Sequence, residues 1–191
     1  MPRISCEAQR DPTVMKRLLM SALLLTGLTA PAVAQQADPR FDSPARLREY
    51  GGALLDPLSW TSVAASTLLD QIRDDPENWS FGDRALSNGG RFVLEVTIFH
   101  GVAAKQDRST WYYKCECTDT PTRVVHAFAE AFTDHDRNGV AHVSVARISA
   151  PYGAALAEAL WRPDRSIGDA VMTGSTSLVF TGLFNMVREF F

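Results

Sequence analysis

The last stretch of the chain, 166-SIGDAVMTGSTSLVFTGLFNMVREFF-191, determines the fold that the sequence predicts. Ser166 and Asp169 have the spacing of a helix capping box, and Arg188 stands near the C-terminal end of the helix dipole. Residues 170–187 carry no charge. Large apolar side chains recur on one helical stripe, which consists of Met172, Val179, Leu183, Met186 and Phe190. The stripe predicts that this helix is buried among other helices.

A second stripe and several small residues strengthen that prediction. The second stripe broadens the apolar face with Val171, Leu178, Phe184, Val187 and Phe191. The small residues at which another backbone can approach are Gly153, Ala157, Gly174, Ser177 and Gly182. In lipid, small residues at such spacings drive helix association. On length, residues 170–187 are also a borderline membrane span. Ser, Thr and Asn dilute their hydrophobicity, and a buried bundle helix is therefore the favoured interpretation.

The N-terminal region has the pattern of a secretory signal peptide. Lys16 and Arg17 precede an apolar run over 18–30, and Ala32-Val33-Ala34 follows as a small-x-small cleavage site. The run is shorter than the roughly 20 residues of a bilayer span. We therefore interpret 1–34 as an upstream extension plus a signal peptide that starts at Met15. This pattern predicts export to the periplasm or the outer membrane.

Removal of residues 1–34 makes the chain mildly acidic. That segment holds four basic and two acidic residues of the totals of 19 and 22, which leaves 15 and 20 and a net charge of −5. A chain with this net charge lacks the basic surface that is typical of a nucleic-acid-binding protein. Residues 35–45 are polar and proline-containing and predict a flexible arm, and residues 46–191 are long enough for a single domain with its own core.

The rest of the chain predicts helices that surround the last one. Asp56-Pro57 and Thr120-Pro121 are typical helix starts, and Val140–Arg147 alternates weakly as an extended segment. The expected helices before the last one are Arg46–Leu55, Pro57–Ile72, Arg84–Ala104, Thr120–Phe132 and Tyr152–Trp161. The predicted fold class is mostly α, a compact helical bundle with packing faces rich in small residues and at most one short β-hairpin.

Cys115 and Cys117 are the clearest local candidates for chemistry. They are the only cysteines after residue 34, and an exported protein enters an oxidising compartment. In an extended segment their side chains project to the same face, which allows a disulfide. One interpretation of the pair is functional, as a redox site or a soft-metal site. The other is structural, as a local disulfide cross-link or as two free thiols in a surface loop.

Residues 134–139, DHDRNG, resemble the first half of a calcium loop. Asp134, Asp136 and Asn138 would supply oxygen ligands at positions 1, 3 and 5, with glycine at position 6. Val145 stands where the bidentate glutamate belongs. A turn between a helix and an extended segment is the favoured interpretation.

His126 and Glu130 are one helical turn apart and are candidates for an acid–base pair. Their spacing is not that of an HExxH motif, and a helix-surface pair is the ordinary interpretation. The sequence contains no Gly-x-Ser-x-Gly elbow, phosphate loop or dinucleotide fingerprint. It predicts no cofactor.

The span from Asp56 to Glu189 resembles an uncharacterised family of exported, mostly helical bacterial proteins that is abundant in acidobacteria-like genomes. The matching pieces are Asp56-Pro57, Gln106-Asp107-Arg108 with Tyr112-Tyr113, Thr133-Asp134, Trp161-Arg162-Pro163 and 185-NMVREF-190. The chain lacks the family's proline after Asp107, and Cys115 and Cys117 are additional. The resemblance implies an exported helical protein and no known activity.

Two functional hypotheses follow. The first is a non-enzymatic accessory or structural protein of the cell envelope that packs against an envelope or membrane protein, with membrane association as a variant. The second is a small periplasmic redox or hydrolytic enzyme that uses Cys115 and Cys117, or His126 with Glu130.

Overall fold

The structure is a computed structural model that describes residues 41–163 and 165–191. The described residues form six helices and one antiparallel hairpin, which pairs Thr133 with Val143 and His135 with Ala141. In chain order the elements are α1 (Ser43–Leu55), α2 (Pro57–Arg73), α3 (Phe81–Lys105), α4 (Thr120–Ala129), β1 (Thr133–His135), β2 (Ala141–Val143), α5 (Val145–Glu158) and α6 (Ile167–Phe190). The prediction of a mostly helical bundle with one short hairpin is confirmed for these residues.

Side-chain caps set most of the helix starts. The Asp56 carboxylate accepts hydrogen bonds from the backbone N–H groups of Leu58 and Ser59 at 3.3 and 3.0 Å. Ser166 and Asp169 form the predicted capping box at the start of α6. A second box, between Ser80 and Asp83, starts α3 at Phe81 rather than at Arg84. α4 ends at Ala129, three residues before the predicted end.

Helix α5 begins at Val145 and therefore contradicts the predicted start near Pro151. The Ser144 hydroxyl caps the helix by accepting the backbone N–H of Arg147 at 3.0 Å. Pro151 lies inside the helix, where it lacks the N–H that would bond to the Arg147 carbonyl. Only Ala141–Val143 of the predicted extended segment forms a strand.

The predicted arm over 35–45 is partly helical. α1 begins at Ser43, and the Phe41 side chain is buried next to Arg46, whose Nε donates to the Phe41 carbonyl at 3.2 Å. Gly51 and Gly52 do not break this helix. Residues 35–40 and the predicted signal peptide over 1–34 lie outside the described residues.

The bundle is built around α3 and α5. α3 packs against α1, α2 and α5, while α6 packs against α5 and α4. α5 and α6 run antiparallel, because Arg165 bonds back to Glu158 at 3.4 Å and Tyr152 lies 3.0 Å from the Ser175 hydroxyl.

Charged side chains occupy the interior between these helices. Arg84 on α3 is completely buried and donates to the Gln71 side chain at 2.8 Å. The same guanidinium binds the loop after α2, where its acceptors are the Asp74 carboxylate and the carbonyls of Asp75, Pro76 and Trp79. The Arg84 guanidinium thus donates hydrogen bonds to three backbone carbonyls of this loop. These bonds offset the free-energy cost of removing the carbonyls from water.

Glu158, at the end of α5, is the acidic centre of this interior and is also completely buried. Its carboxylate accepts from the Ser87 hydroxyl at 3.2 Å and faces three guanidinium groups, those of Arg91 at 3.5 Å, Arg162 at 3.3 Å and Arg165 at 3.4 Å. Arg162 continues to Asp70 on α2 at 3.1 Å. We call this set of residues, Asp70, Ser87, Arg91, Glu158, Arg162 and Arg165, the Glu158 network. It connects α2, α3 and α5 with the link into α6.

Candidate functional site

Small and polar residues form the inner face of α6. The buried positions of the helix are Ala170, Gly174, Leu178, Gly182, Asn185 and Glu189. A Cβ atom at Gly174 would lie 2.5 Å from the Tyr152 ring, and one at Gly182 would lie 2.6 Å from the Phe128 ring. Both glycines are therefore required for the close approach of α5 and α4 to α6.

The other predicted packing residues serve different contacts. A Cβ atom at Gly153 would lie 3.1 Å from Ile98, so this glycine fits α5 against α3 rather than against α6. The Ser177 hydroxyl donates to Glu95 at 2.8 Å, and Ala157 is half-buried.

The apolar stripe that was predicted to face the core faces outward instead. Met172 is 70% exposed and Val179 55% exposed, whereas the neighbouring Leu178 is 7% exposed. We call the line of Met172, Thr176, Val179, Leu183, Met186 and Phe190 the outer stripe. The prediction that α6 has neighbours on most sides is wrong, because its glycines, and not its largest side chains, select the face that packs.

α6 is also the one helix of residues 41–163 and 165–191 that is long and apolar enough to cross a membrane. Length and composition alone give this result, and buried helices of soluble proteins meet the same criteria.

Glu189 at the end of α6 binds the connector between α3 and α4. Its carboxylate accepts from the backbone N–H of Cys115 at 3.1 Å, from Arg123 Nε at 3.1 Å and from the Tyr112 hydroxyl. Burial alone would raise the pKa of Glu189, but these hydrogen bonds lower it overall. Burial, with the adjacent carboxylate, raises the pKa of Tyr112. The Glu189 side chain is thus ionised and holds the connector.

Cys115 and Cys117 form a disulfide in this connector, with their Cα atoms 5.1 Å apart. Both residues are half-buried. The disulfide lies beside Glu189 and links two nearby residues of the connector. This geometry is compatible with a structural cross-link that shapes the connector, and equally with a redox group.

The predicted pair of His126 and Glu130 does not form a hydrogen bond. His126 Nε2 lies 2.7 Å from the Tyr113 carbonyl and donates to it. Glu130 accepts from the Thr133 hydroxyl at 3.2 Å, and its Oε1 lies 3.6 Å from His135 Nε2. His135 is therefore the histidine nearest this carboxylate. Sequence spacing does not reveal this contact, because β1 brings His135 back beside the end of α4 only in the folded chain.

Glu130 and His135 are both sealed from solvent. Burial raises the pKa of Glu130. Burial, with the positive charge of Arg147, lowers the pKa of His135 to about 4. The Tyr113 ring lies over His135 with 4.2 Å between the ring centroids. His135 is therefore neutral at pH 7, and neither side chain of the pair is accessible from solvent in the folded chain.

The residues of the predicted calcium loop form a hairpin turn. Asp136 accepts from the backbone N–H groups of Asn138 and Val140 at 2.8 and 3.0 Å and lies 3.2 Å from His142. Asp134 is buried in β1, with Arg108 Nε 3.7 Å from its carboxylate. Asp136 also faces Arg108, whose Nη1 lies 3.9 Å from its carboxylate, so a guanidinium stands between the two aspartates. No cluster of three metal-ligating His, Cys, Asp or Glu side chains occurs in the described part of the chain.

A shallow open cavity of about 470 Å³ lies at the start of α3. Its lining consists of Trp79, Asp83, Leu86, Ser87 and Trp161. The Ser87 hydroxyl accepts from the Trp161 indole at 3.0 Å and donates to Glu158, while Asp83 caps α3. The polar groups of the cavity thus already serve the fold.

The chain matches no protein-family model, no curated protein and no solved structure. Its resemblance to exported helical proteins therefore stays a prediction. Within the outer stripe, the Phe190 ring contacts the Arg123 guanidinium, whose carbon lies 4.4 Å from the ring centroid, while Met172 and Val179 are largely exposed. The outer stripe is the candidate functional surface.

Proposed function

We propose that the protein is an exported, non-enzymatic structural or interaction protein of the bacterial cell envelope that acts through the outer stripe of α6. The observation that carries the proposal is the division of α6 between a small, polar inner face and an outer face of large apolar side chains. Contiguous exposed apolar surface of this kind marks interaction sites.

Two features support export. The order of basic pair, apolar run and Ala32-Val33-Ala34 is that of a cleavable signal peptide. The disulfide between Cys115 and Cys117 is typical of proteins in oxidising compartments.

One observation favours the alternative of a small redox enzyme, namely the half-buried disulfide in the connector. His126 and Glu130 give less support to a hydrolase, because each side chain is hydrogen-bonded elsewhere and Glu130 is inaccessible.

Export is tested with the full chain carrying a C-terminal tag in a bacterial host. We expect the tag in the envelope fraction and Gln35 at the N-terminus of the product, whereas Leu24→Arg, which breaks the apolar run, should leave an uncleaved cytoplasmic chain. Recovery of uncleaved wild-type chain from the cytoplasm would overturn the assignment to the envelope.

The choice between interaction protein and enzyme is tested by complementation of a deletion strain, with sensitivity to detergent as the readout. We expect the double variant Cys115→Ser/Cys117→Ser and the variant His126→Ala to restore resistance, and Leu183→Glu to fail although it accumulates and folds. Resistance restored by Leu183→Glu but not by the cysteine or histidine variants would favour the enzyme.

A further inference from the structure

The outer stripe has the spacing of a helix-pairing surface. Its positions, Met172, Thr176, Val179, Leu183, Met186 and Phe190, follow one another at intervals of four, three, four, three and four residues. This alternation is the repeat of the a and d positions in a coiled coil, which keeps one line of side chains directed at a partner helix. Five of the six residues are apolar, and Phe180 and Val187 flank the line.

The bundle presents this stripe on a rigid helix. Asn185 Nδ2 on the inner face donates to the Ala127 carbonyl of α4 at 3.2 Å, and Glu189 binds the connector. Tyr152 and Phe128 lie against Gly174 and Gly182. A partner helix therefore meets a fixed surface and loses little conformational entropy on pairing.

We propose that a second copy of this chain occupies the outer stripe, with the two α6 helices antiparallel about a two-fold axis. The inference rests on the proposed role of the stripe and names its partner. In the antiparallel arrangement every stripe position finds a counterpart in one register. Met172 lies opposite Phe190 of the second copy, Thr176 opposite Met186, and Val179 opposite Leu183. Such a self-complementary contact is what a two-fold dimer requires.

The exposed area agrees with a dimer contact. Met172, Val179, Phe180 and Val187 are each at least 55% exposed, so a dimer contact would bury these side chains together toward the about 800 Å² per partner of a standard interface. The contact would be mainly apolar, as the centres of homodimer interfaces are.

Charge favours a protein partner over a lipid surface. Helices that lie in the membrane interface carry several lysine and arginine residues on their polar face, whereas α6 carries a single basic residue, Arg188, in its last turn. Asp169 projects from the same side as the stripe at its N-terminal end, and the chain after residue 34 is net acidic. Both features oppose binding to anionic headgroups.

The first test is the molar mass of the purified chain by light scattering over a concentration series. We expect a dimer for the wild type and a dissociation constant raised roughly 100-fold by Leu183→Glu, since the substitution places two unpaired carboxylates at the centre of the contact. Leu160→Glu, at a position 87% exposed outside the stripe, should remain dimeric. Circular dichroism checks that both variants fold.

The second test distinguishes the orientation. We expect a disulfide when Val179→Cys and Leu183→Cys chains are mixed and oxidised, and also for Met172→Cys mixed with Phe190→Cys. Rapid disulfide formation by Val179→Cys alone and by Met172→Cys alone, without the mixed products, would overturn the antiparallel arrangement.

A chain that is monomeric at every concentration would overturn the proposal. Flotation of that monomer with phosphatidylethanolamine–phosphatidylglycerol vesicles would assign the stripe to lipid. If the chain is monomeric but still exported to the envelope, only the proposed pairing is contradicted. If the chain is dimeric but stays uncleaved in the cytoplasm, only the proposed envelope function is contradicted.

Discussion

The Glu158 network and the outer stripe of α6 reverse the usual arrangement of a globular protein, in which charged side chains lie in solvent and apolar side chains lie in the core. In the network, Glu158 and three arginines are enclosed between helices, while Met172 and Val179 of the stripe lie in solvent. A buried ionic network fixes which helices meet, because its buried members, Glu158 and Arg162, depend on their charged partners in place of water. An exposed apolar stripe contributes little to the folding of one chain and remains available for association.

Breaking the network should give the largest effect. We expect Glu158→Ala to lower the free energy of unfolding by about 3–5 kcal/mol, because the buried Arg162 and the half-buried Arg91 and Arg165 lose their shared carboxylate. Urea denaturation measures the change, with Glu77→Ala at an exposed site of the loop after α2 as the control, expected within about 0.5 kcal/mol of wild type. Equal stabilities for Glu158→Ala and Glu77→Ala would show that the network does not support the fold.

Filling the inner face of α6 should give the next effect. A methyl group at Gly174 meets the Tyr152 ring, so we expect Gly174→Ala to destabilise the chain by about 1–3 kcal/mol. Gly101→Ala is the matched control within α3, where a Cβ atom meets nothing within 4 Å, and it should stabilise by about 0.5–1 kcal/mol. Thermal unfolding compares the two. Destabilisation by Gly101→Ala and none by Gly174→Ala would contradict the assignment of the faces.

The buried pair of Glu130 and His135 should give the smallest net effect, visible as a pH dependence, because its two contributions have opposite signs. Because the pKa of folded His135 is about 4 and that of an unfolded histidine is near 6.5, the unfolded chain binds the proton first. This contribution lowers stability as the pH falls from about 6.5 to about 4. The raised pKa of Glu130 acts in the opposite sense, since the folded chain then holds the extra proton.

Single substitutions separate the contributions of His135 and Glu130 to the pH dependence of stability. We expect His135→Gln to flatten or reverse the loss of stability on acidification, and Glu130→Gln to make that loss steeper. Denaturation midpoints at a series of pH values measure both. A Glu130→Gln chain with a flatter profile than wild type would show that the signs are misassigned.

Local signals made most of the helix framework predictable. Asp56-Pro57 and the pair of Ser166 and Asp169 act within one turn, so the sequence alone identifies them. The start of α5 is not predictable from the same signals, because a proline favours the first turn of a helix, whereas here the Ser144 hydroxyl caps the helix and Pro151 lies inside it.

Contacts between distant residues were not predictable from periodicity. α6 has large apolar side chains on two stripes, and only the rings of Tyr152 and Phe128 decide that its glycine-containing face turns inward. The approach of His135 to Glu130 depends in the same way on the hairpin. The sequence thus predicted α6 and its cap, but neither the face of α6 that packs nor a bundle centred on α3 and α5.

The most direct test of the account is the reaction of single cysteines placed at adjacent positions of α6. Leu178→Cys and Val179→Cys chains, with Cys115 and Cys117 kept in their disulfide, are treated with a maleimide at dilutions where light scattering shows monomer. We predict fast labelling at 179 and strong protection at 178. Fast labelling at 178 with protection at 179 would contradict the account, because the large apolar stripe would then face the core.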